Sequence, residues 1–446
     1  MTLFGTSGIR GVYGKDVTPQ LAMKVGNAVG SNSKKLILAT DTRPTSPILA
    51  DALAAGAMLS GCEVIDIGIA PTPMLAYVTH MEKCIGAMIT ASHNPPEYNG
   101  IKLFSKGMEF AKAQEHEVEK LLSENKEKKA EWNMAGQKET RNYEAEYIAF
   151  LLSKVNASAI KKRHPRVLVD AGNAAAYSIA PKLFEAAGCE VVRLYCDSPG
   201  DFKRNLEPKS STLADAAKKV AEGKCDFGVA FDGDGDRAIA IDEKGTVLPL
   251  DVQLAMFAKH ALAKTSNKKI VTTVEASLCV REIVEEHGGR LFVTPVGSLN
   301  VADEVLKEKA AFGGEPCGEY VFPFATPCAE GLLSALVAAE IFCSGGKLSS
   351  AASGIKTHFM ERAKYKCREE AKQEIMRKLS EKPQLEGKLS TIDGLRYDFS
   401  DGWLLIRPSG TEPAIRLTCE AKSKKKLDEI VQRAEKMIME EIHKTH

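Results

Sequence analysis

The sequence predicts three similar α/β domains followed by a smaller C-terminal α+β domain. Three observations carry this reading. A strand, helix, glycine, strand pattern recurs three times along the chain. The 446 residues divide into roughly three domains at about 150 residues each, with two to four all compatible. The last part of the chain follows a different rhythm from the rest.

In the first copy of the pattern, the apolar run Leu36 to Ala39 leads into ILADALAAGAMLS, Gly61 and a second run, Glu63 to Ile67. In the second copy, Val167 to Val169 leads to IAPKLFEAA, Gly188 and Glu190 to Leu194; in the third, Ile270 to Val274 leads to VREIVEEH, Gly288 and Leu291 to Val293. Glycine ends a helix at low steric cost, and strands joined through a helix lie parallel, so each copy predicts a β-α-β unit in a helix-flanked sheet. Repetition at this scale implies repeated domains. The first domain is placed at 1–150, closing after the charged stretch SENKEKKAEWNMAGQKETRN and the helix behind it, and the second at 151–249, closing after the strand Ala238 to Ile241 and the turn at Lys244-Gly245. The third is placed at 250–360, closing at the polar break CSGGKLSSAASG. The fourth, 361–446, shows a charged helix, short strands around Leu395, Leu404 and Ile415, and an amphipathic helix with Leu427, Ile430, Val431, Ala434, Met437 and Ile438 on one stripe.

Composition excludes several classes of function. With 44% hydrophobic and 27% charged residues the chain is apolar enough to fold and bury several cores. Lys and Arg number 60 against 59 Asp and Glu, a formal net charge of +1, so no global field holds a nucleic acid or an acidic membrane, and any phosphate site is local. The KSKKK run before the last helix is then a solvated face. Eleven cysteines without a C-x-x-C pair, and no histidine cluster at zinc spacing, argue against a disulfide framework or a structural metal. The start MTLFGTSGIRG lacks the charge and apolar run of a secretion signal, and the longest apolar stretch, Leu332 to Cys343, carries Glu340 and is too short to span a bilayer. A cytoplasmic protein without membrane or nucleic-acid partners is expected.

Four loops stand out. Thr90-Ala91-Ser92-His93-Asn94-Pro95 follows the buried strand Ile85 to Ile89, with Asn99-Gly100-Ile101-Lys102 close behind. A serine at the C-terminal end of a strand is where open α/β sheets place reacting groups, although the same residues also form simple turns. A Ser-His hydrolase is disfavoured, because G-x-S-x-G is absent and adjacent side chains seldom form the required hydrogen bond. The second loop, Asp232-Gly233-Asp234-Gly235-Asp236-Arg237, lies between two apolar strands. Its glycines let three carboxylates converge on one hard cation, most simply Mg²⁺. An EF-hand is excluded by Arg237 at its sixth position and by flanking strands, which leaves a plain acidic turn as the alternative. The third, Arg407-Pro408-Ser409-Gly410-Thr411-Glu412-Pro413 with Arg416 beyond, offers amides, hydroxyls and guanidinium forks for a phosphate dianion, or a bland turn. The fourth, Gly313-Gly314-Glu315-Pro316-Cys317-Gly318-Glu319, presents a carboxylate suited to vicinal sugar hydroxyls, and alone reads equally as a structural turn.

TSGIRG at Thr6 to Gly11, TASHNP at Thr90 to Pro95, DGDGDR at Asp232 to Arg237, GEPCG at Gly314 to Gly318 and RPSGTEP at Arg407 to Pro413 occur in this order. The chain resembles the α-D-phosphohexomutases over essentially its whole length. The resemblance implies three α/β domains with mixed sheets and a C-terminal α+β domain around a central cleft, each domain giving one loop. It implies that Ser92 carries a phosphoryl group, that Asp232, Asp234 and Asp236 hold Mg²⁺ together with an oxygen of phosphorylated Ser92, and that His93 and Arg237 flank the reacting phosphate with Thr6, Ser7 and Arg10 nearby. Lys102 matches the general base or acid. Glu315, with Cys317, Gly318 and Glu319, matches the sugar-binding loop, and Arg407, Ser409, Gly410, Thr411 and Arg416 match the clamp on the non-reacting phosphate.

The implied reaction interconverts a hexose 6-phosphate and 1-phosphate through a hexose 1,6-bisphosphate, which is both intermediate and activator, in a monomer or homodimer. Many relatives carry Ser and His where this chain has Cys317 and Glu319. An extra carboxylate at Glu319 favours the C2 ammonium of glucosamine phosphate, and GEPCG resembles the archaeal type of phosphoglucosamine mutase. A phosphomannomutase or phosphoglucomutase, with single or dual activity, is the alternative. A non-catalytic sugar-phosphate sensor has no need of Ser92, Lys102 and three aspartates, and a phosphatase would need water admitted to the serine.

Overall fold

The computed structural model describes residues 3–5, 7–124, 128–381, 385–409 and 412–445. Its strands form sheets of seven, four, four and five strands. In the first three the recurring pattern is realised in three dimensions. Lys35–Thr40 pairs in parallel with Glu63–Ile69, Arg166–Asp170 with Glu190–Leu194, and Lys269–Thr273 with Arg290–Thr294. The helices between them end at Gly61, Gly188 and Gly288, all at positive φ, the conformation that lets a helix terminate and the chain turn back.

Each sheet then repeats a second step. A third strand lies parallel to the first on its other side (Ile85–Ile89, Phe227–Phe231, Phe312–Gly314), and a fourth folds back antiparallel to the third (Tyr98–Ser105, Ala238–Ile241, Tyr320–Val321). The sheets are therefore mixed. The strand Phe227–Phe231 is buried at every residue, as expected for a strand covered on both faces. The fourth sheet is antiparallel throughout, in the order Phe359–Lys366, Ala414–Ala421, Gly402–Pro408, Leu395–Asp398, Lys388–Ser390. In all four domains the loop singled out from the sequence joins a strand to its antiparallel neighbour. One topological device thus presents four loops at strand ends, where open sheets bind ligands.

Two segments differ from expectation. The polar stretch near 344–354 is not a plain break: Leu348–Ser353 is a short helix anchored by the fully buried Leu348. The fourth domain also opens with an edge strand, Phe359–Lys366, before its charged helix Lys372–Glu381. Five of that strand's eight residues are exposed, so it lacks the apolar alternation that would mark it in sequence. Helix Glu144–Leu152 packs against Ile179–Ala186, and its Tyr147 hydroxyl donates to Glu330 at the start of helix Gly331–Gly345.

One apolar cluster runs through the first three domains, joining Tyr77, Phe184, Phe227, Phe257, Phe312 and Leu332. The fourth domain has a core of its own, in which Leu427, Ile430, Ala434, Met437 and Ile438 of helix Lys424–Thr445 cover the sheet. It meets the third domain through a small cluster of Val274, Leu278, Trp403 and Leu405. At that junction the buried Glu420 carboxylate accepts from Ser277 Oγ (2.5 Å), Leu278 N (2.7 Å) and Trp403 Nε1 (2.7 Å). Ser277 caps helix Leu278–Glu286, so a negative charge here also meets the positive end of a helix. Glu420→Ala leaves three buried donors without an acceptor, at a cost of about 2 kcal/mol or more. Urea denaturation should show that loss, and limited proteolysis should cut first near 354–358, between the third and fourth domains.

Candidate functional site

Ser92 sits at φ 50°, the left-handed region that side chains rarely adopt. A fully buried arginine that sequence reasoning did not single out maintains this turn. Arg43 donates to the carbonyls of Ser92 (2.8 Å), Asn94 (2.8 Å), Pro95 (2.6 Å) and Tyr98 (3.0 Å). Its Nε is held by Asp41 at 3.0 Å, and Asp41 also accepts from the Thr90 hydroxyl, whose oxygen in turn accepts from Ser92 N. The only sequence signal for this frame is Asp41-Thr42-Arg43-Pro44 directly after a buried strand. Ser92 Oγ then projects toward the second domain, 2.8 Å from Asp232 Oδ2 and 3.2 Å from His93 Nδ1. The adjacent serine and histidine side chains do meet. Burial, followed by the charge of Arg237, lowers His93 to about 4, so its ring is neutral at ordinary pH.

The acidic loop needs its glycines for close approach. A Cβ at Gly233 would lie 2.0 Å from the Ser92 carbonyl, and one at Gly235, itself at φ 74°, 2.8 Å from Pro71. Asp232, Asp234 and Asp236 are buried, with ligand oxygens within 4.8 Å of one another. Lys102, on the strand Tyr98–Ser105, donates to Asp234 (2.7 Å) and Asp236 (3.1 Å), and Thr72, at the start of helix Thr72–Glu82, donates to Asp234 at 2.7 Å. Burial pushes Asp232 well up, with Asp236 and Asp234 adding to the effect, and raises Asp236 to about 6. Burial would raise Asp234 too, but the Lys102 ammonium holds it below the ordinary carboxylate range. The same carboxylates hold Lys102 charged against its own burial. Asp234 Oδ1 and Asp236 Oδ1 are buried without a hydrogen-bond donor among the described residues, and such oxygens fit a hard divalent cation.

Arg237 leads into the third domain. Its Nε and Nη2 both reach Glu319 Oε1, at 2.8 and 2.5 Å, and the two backbones form an antiparallel bridge. The extra carboxylate expected at Glu319 lines the cleft, with its Oε1 taken by Arg237, which holds it ionised against burial. Glu315 accepts from Gly297 N at 3.0 Å, and burial, followed by Glu319, raises it to about 8. Ser7, Arg10, Ser92, Lys102, Asp236, Arg237, Glu315, Cys317 and Glu319 line one cleft of about 670 Å³, together with Glu109 and Glu275, which sequence reasoning missed.

Glu275 also lines a second cavity of about 630 Å³ that holds Arg407 and Arg416. Arg407 is paired with Glu275 (2.6 Å) and Asp393 (2.8 Å), while Arg416 is exposed. The buried Lys372 donates to the Ser409 carbonyl at 2.7 Å, and among the described residues the buried Ser409 hydroxyl has no partner. Thr6, Gly410 and Thr411 lie outside the described residues.

Arg43→Met would leave Asp41 buried and unpaired and four carbonyls uncapped, so we expect about 3 kcal/mol or more of destabilisation. Lysine, a single point donor, should recover only a small part of it. Chemical denaturation of Arg43→Met and Arg43→Lys beside the parent protein checks both expectations.

Models of the phosphoglucomutase/phosphomannomutase family match the chain in four consecutive parts: α/β/α domain I over residues 1–129, domain II over 145–245, domain III over 250–358 and the C-terminal domain over 363–437. A Methanococcus vannielii protein named phosphoglucosamine mutase is 40% identical over 445 residues, covering 97% of each chain. A Pyrococcus abyssi protein named probable phosphoglucosamine mutase is 37% identical, covering 99% of this chain and 98% of its own. Among solved structures, a phosphoglucomutase/phosphomannomutase family protein of Burkholderia thailandensis superposes with a TM-score of 0.89 at 27% identity, over 99% of this chain and 97% of that one. With the fold, the four loops and the full-length matches in agreement, the chain belongs to the phosphoglucomutase/phosphomannomutase family and is an enzyme, a phosphohexomutase.

Proposed function

We propose that the enzyme interconverts glucosamine 6-phosphate and glucosamine 1-phosphate by way of a phosphoryl group carried on Ser92. The observation that carries the mechanism is the meeting of Ser92 Oγ with Asp232 at 2.8 Å across two domains, on a cleft also lined by Lys102 and Arg237. The sugar is supported by full-length relatives at 36–40% identity that bear the name phosphoglucosamine mutase.

In the forward half, the P–O bond to Ser92 breaks as a new P–O bond forms to the free sugar hydroxyl, giving a glucosamine 1,6-bisphosphate. After the bisphosphate turns over, its other phosphoryl group returns to Ser92. In each half one hydroxyl loses a proton and the other gains one, so the exchange needs a group that can both accept and donate. We assign this to Lys102, which lines the cleft: its ammonium, held by Asp234 and Asp236, gives the departing oxygen its proton, and the amine so formed takes the proton of the attacking hydroxyl. Arg237 and the loop amides stabilise the charge on the transferring oxygens. His93, being neutral, orients Ser92 Oγ without adding charge. Asp232, Asp234 and Asp236 would hold Mg²⁺, which when bound neutralises phosphoryl charge. Glu315 would hold sugar hydroxyls, and Arg407, Ser409 and Arg416, with Gly410 and Thr411, the non-reacting phosphate. The working units are the four domains with breaks near 150, 250 and 360. The enzyme is taken as cytoplasmic, a monomer or homodimer, activated by a hexose 1,6-bisphosphate. Among the described residues no helix is long and apolar enough to cross a membrane.

Intact mass spectrometry of the active enzyme should show one phosphoryl group, mapped to Ser92, and Ser92→Ala should lose both the group and turnover. A coupled assay should give a higher kcat/KM on glucosamine 6-phosphate than on the glucose and mannose phosphates; equal or better rates on the neutral sugars would reject the amino-sugar reading. Chelation should stop turnover and added Mg²⁺ restore it, with Asp234→Asn lowering kcat on the order of 100-fold.

A further inference from the structure

Five carboxylates line the cleft: Glu109, Asp236, Glu275, Glu315 and Glu319. Four are already committed. Asp236 is paired with Lys102, Glu275 with Arg407 and Glu319 with Arg237. Glu315 has one oxygen on Gly297 N at 3.0 Å. Glu109 is different. Among the described residues its side chain receives one long hydrogen bond, from the Ser7 hydroxyl at 3.3 Å, and no cation lies within ion-pair distance.

Its position is built rather than incidental. Lys106 (φ 52°) and Gly107 (φ 97°) make a tight two-residue turn after the strand Tyr98–Ser105, and the return strand Met108–Glu109 pairs Glu109 opposite Phe104. Lys102 stands two residues from Phe104 and therefore on the same face of the sheet as Glu109. Met108 packs on the third-domain cluster of Val301 and Val305, which fixes the hairpin against the domain that carries Glu315. A side chain on a strand pinned from both sides is a precise element of a site.

An uncommitted carboxylate facing a sugar-phosphate cleft has an obvious complement in a substrate cation. We infer that Glu109 is the specificity residue for the amino sugar, its carboxylate receiving the C2 ammonium of glucosamine phosphate. Charge-assisted hydrogen bonds are roughly twice as strong as neutral ones, and a C2 hydroxyl or an acetamido group offers no charge to match. Burial raises Glu109, with Lys102 pulling the other way, and an ammonium partner favours the carboxylate further. The assignment moves the task expected of Glu319, which is paired with Arg237, to a carboxylate of the first domain. The inference rests on the glucosamine phosphate reading above.

The test compares kcat/KM on glucosamine 6-phosphate and glucose 6-phosphate for the parent enzyme and for Glu109→Gln, which keeps the shape and removes the charge. Binding of both sugar phosphates to Ser92→Ala and to the Ser92→Ala/Glu109→Gln double variant, by calorimetry, gives a second readout free of turnover. The expected result is a fall of tenfold or more in the ratio of amino to neutral sugar, in both measurements. A parent enzyme that prefers glucosamine phosphate, with a variant whose ratio stays within twofold of it, overturns the role of Glu109 alone. A parent enzyme without that preference overturns the substrate reading and this inference with it. An equal loss on both sugars also counts against the inference, since it would mark Glu109 as a support of the cleft and not as a reader of the substrate.

Discussion

Three buried carboxylates whose ligand oxygens lie within 4.8 Å of one another are the constraint on which the rest of this structure depends. Left alone, like charges at this distance in a poorly solvated site repel strongly and drive protonation. The fold answers with groups from a different domain. Lys102 and Thr72, both from the first domain, reach into the second to neutralise or hydrogen-bond Asp234. The Thr72 amide also donates to the Asp234 carbonyl at 2.8 Å, which brings the positive end of a helix to the acidic loop. Docking of the first two domains and formation of the acidic site are therefore one event. The glycines of the loop follow from it, because Gly233 lies where any side chain would strike the Ser92 carbonyl.

The same constraint explains why a net charge of +1 over 446 residues says little about local fields. The acidic loop, Arg43, Arg237 and Arg407 sit in or around one cleft, each matched to a neighbour of opposite charge or to carbonyl dipoles. A global balance arises from local ones, so the whole-chain figure leaves strong fields inside the cleft untouched.

Much of the fold was legible because its signals are local. A helix that ends in a left-handed glycine and returns to a parallel strand writes its own boundaries, and the pattern was readable at Gly61, Gly188 and Gly288. Ser92 and the aspartates were legible for the same reason, since unusual residues on short loops after apolar strands have few structural uses. What escaped were residues whose partners lie far along the chain. Arg43 serves carbonyls around Ser92, Lys372 the Ser409 loop, and Glu275 pairs with Arg407. Each is a charged residue in a polar context, and only three-dimensional proximity gives it a task. Glu319 was seen without its ion pair, because nothing local to its loop announces Arg237 from another domain. The edge strand Phe359–Lys366 was missed because none of its residues is buried, so no apolar face marks it in the sequence.

The pairing of cleft cations has a consequence for how a doubly phosphorylated sugar can be held and released. Lys102, Arg237 and Arg407 are each ion-paired to carboxylates. A phosphate that engages one of them competes with an existing partner, so binding exchanges one ion pair for another and avoids the full desolvation of a bare charge. Exchange of this kind keeps recognition specific while limiting net affinity, because the carboxylate stands ready to take the cation back. Tight, irreversible capture would be a defect in a cycle whose intermediate must leave one orientation and enter another. The fourth domain suits the same need: its core is separate, and it meets the third domain through a small apolar cluster, the Glu420 hydrogen bonds and polar pairs such as Arg407–Glu275, Arg281–Asp398 and Lys422–Glu282. The phosphate clamp proposed for this domain, mounted on a separately packed core, can loosen without disturbing the joined cores of the first three domains, which keep Ser92, Lys102 and the aspartates in register.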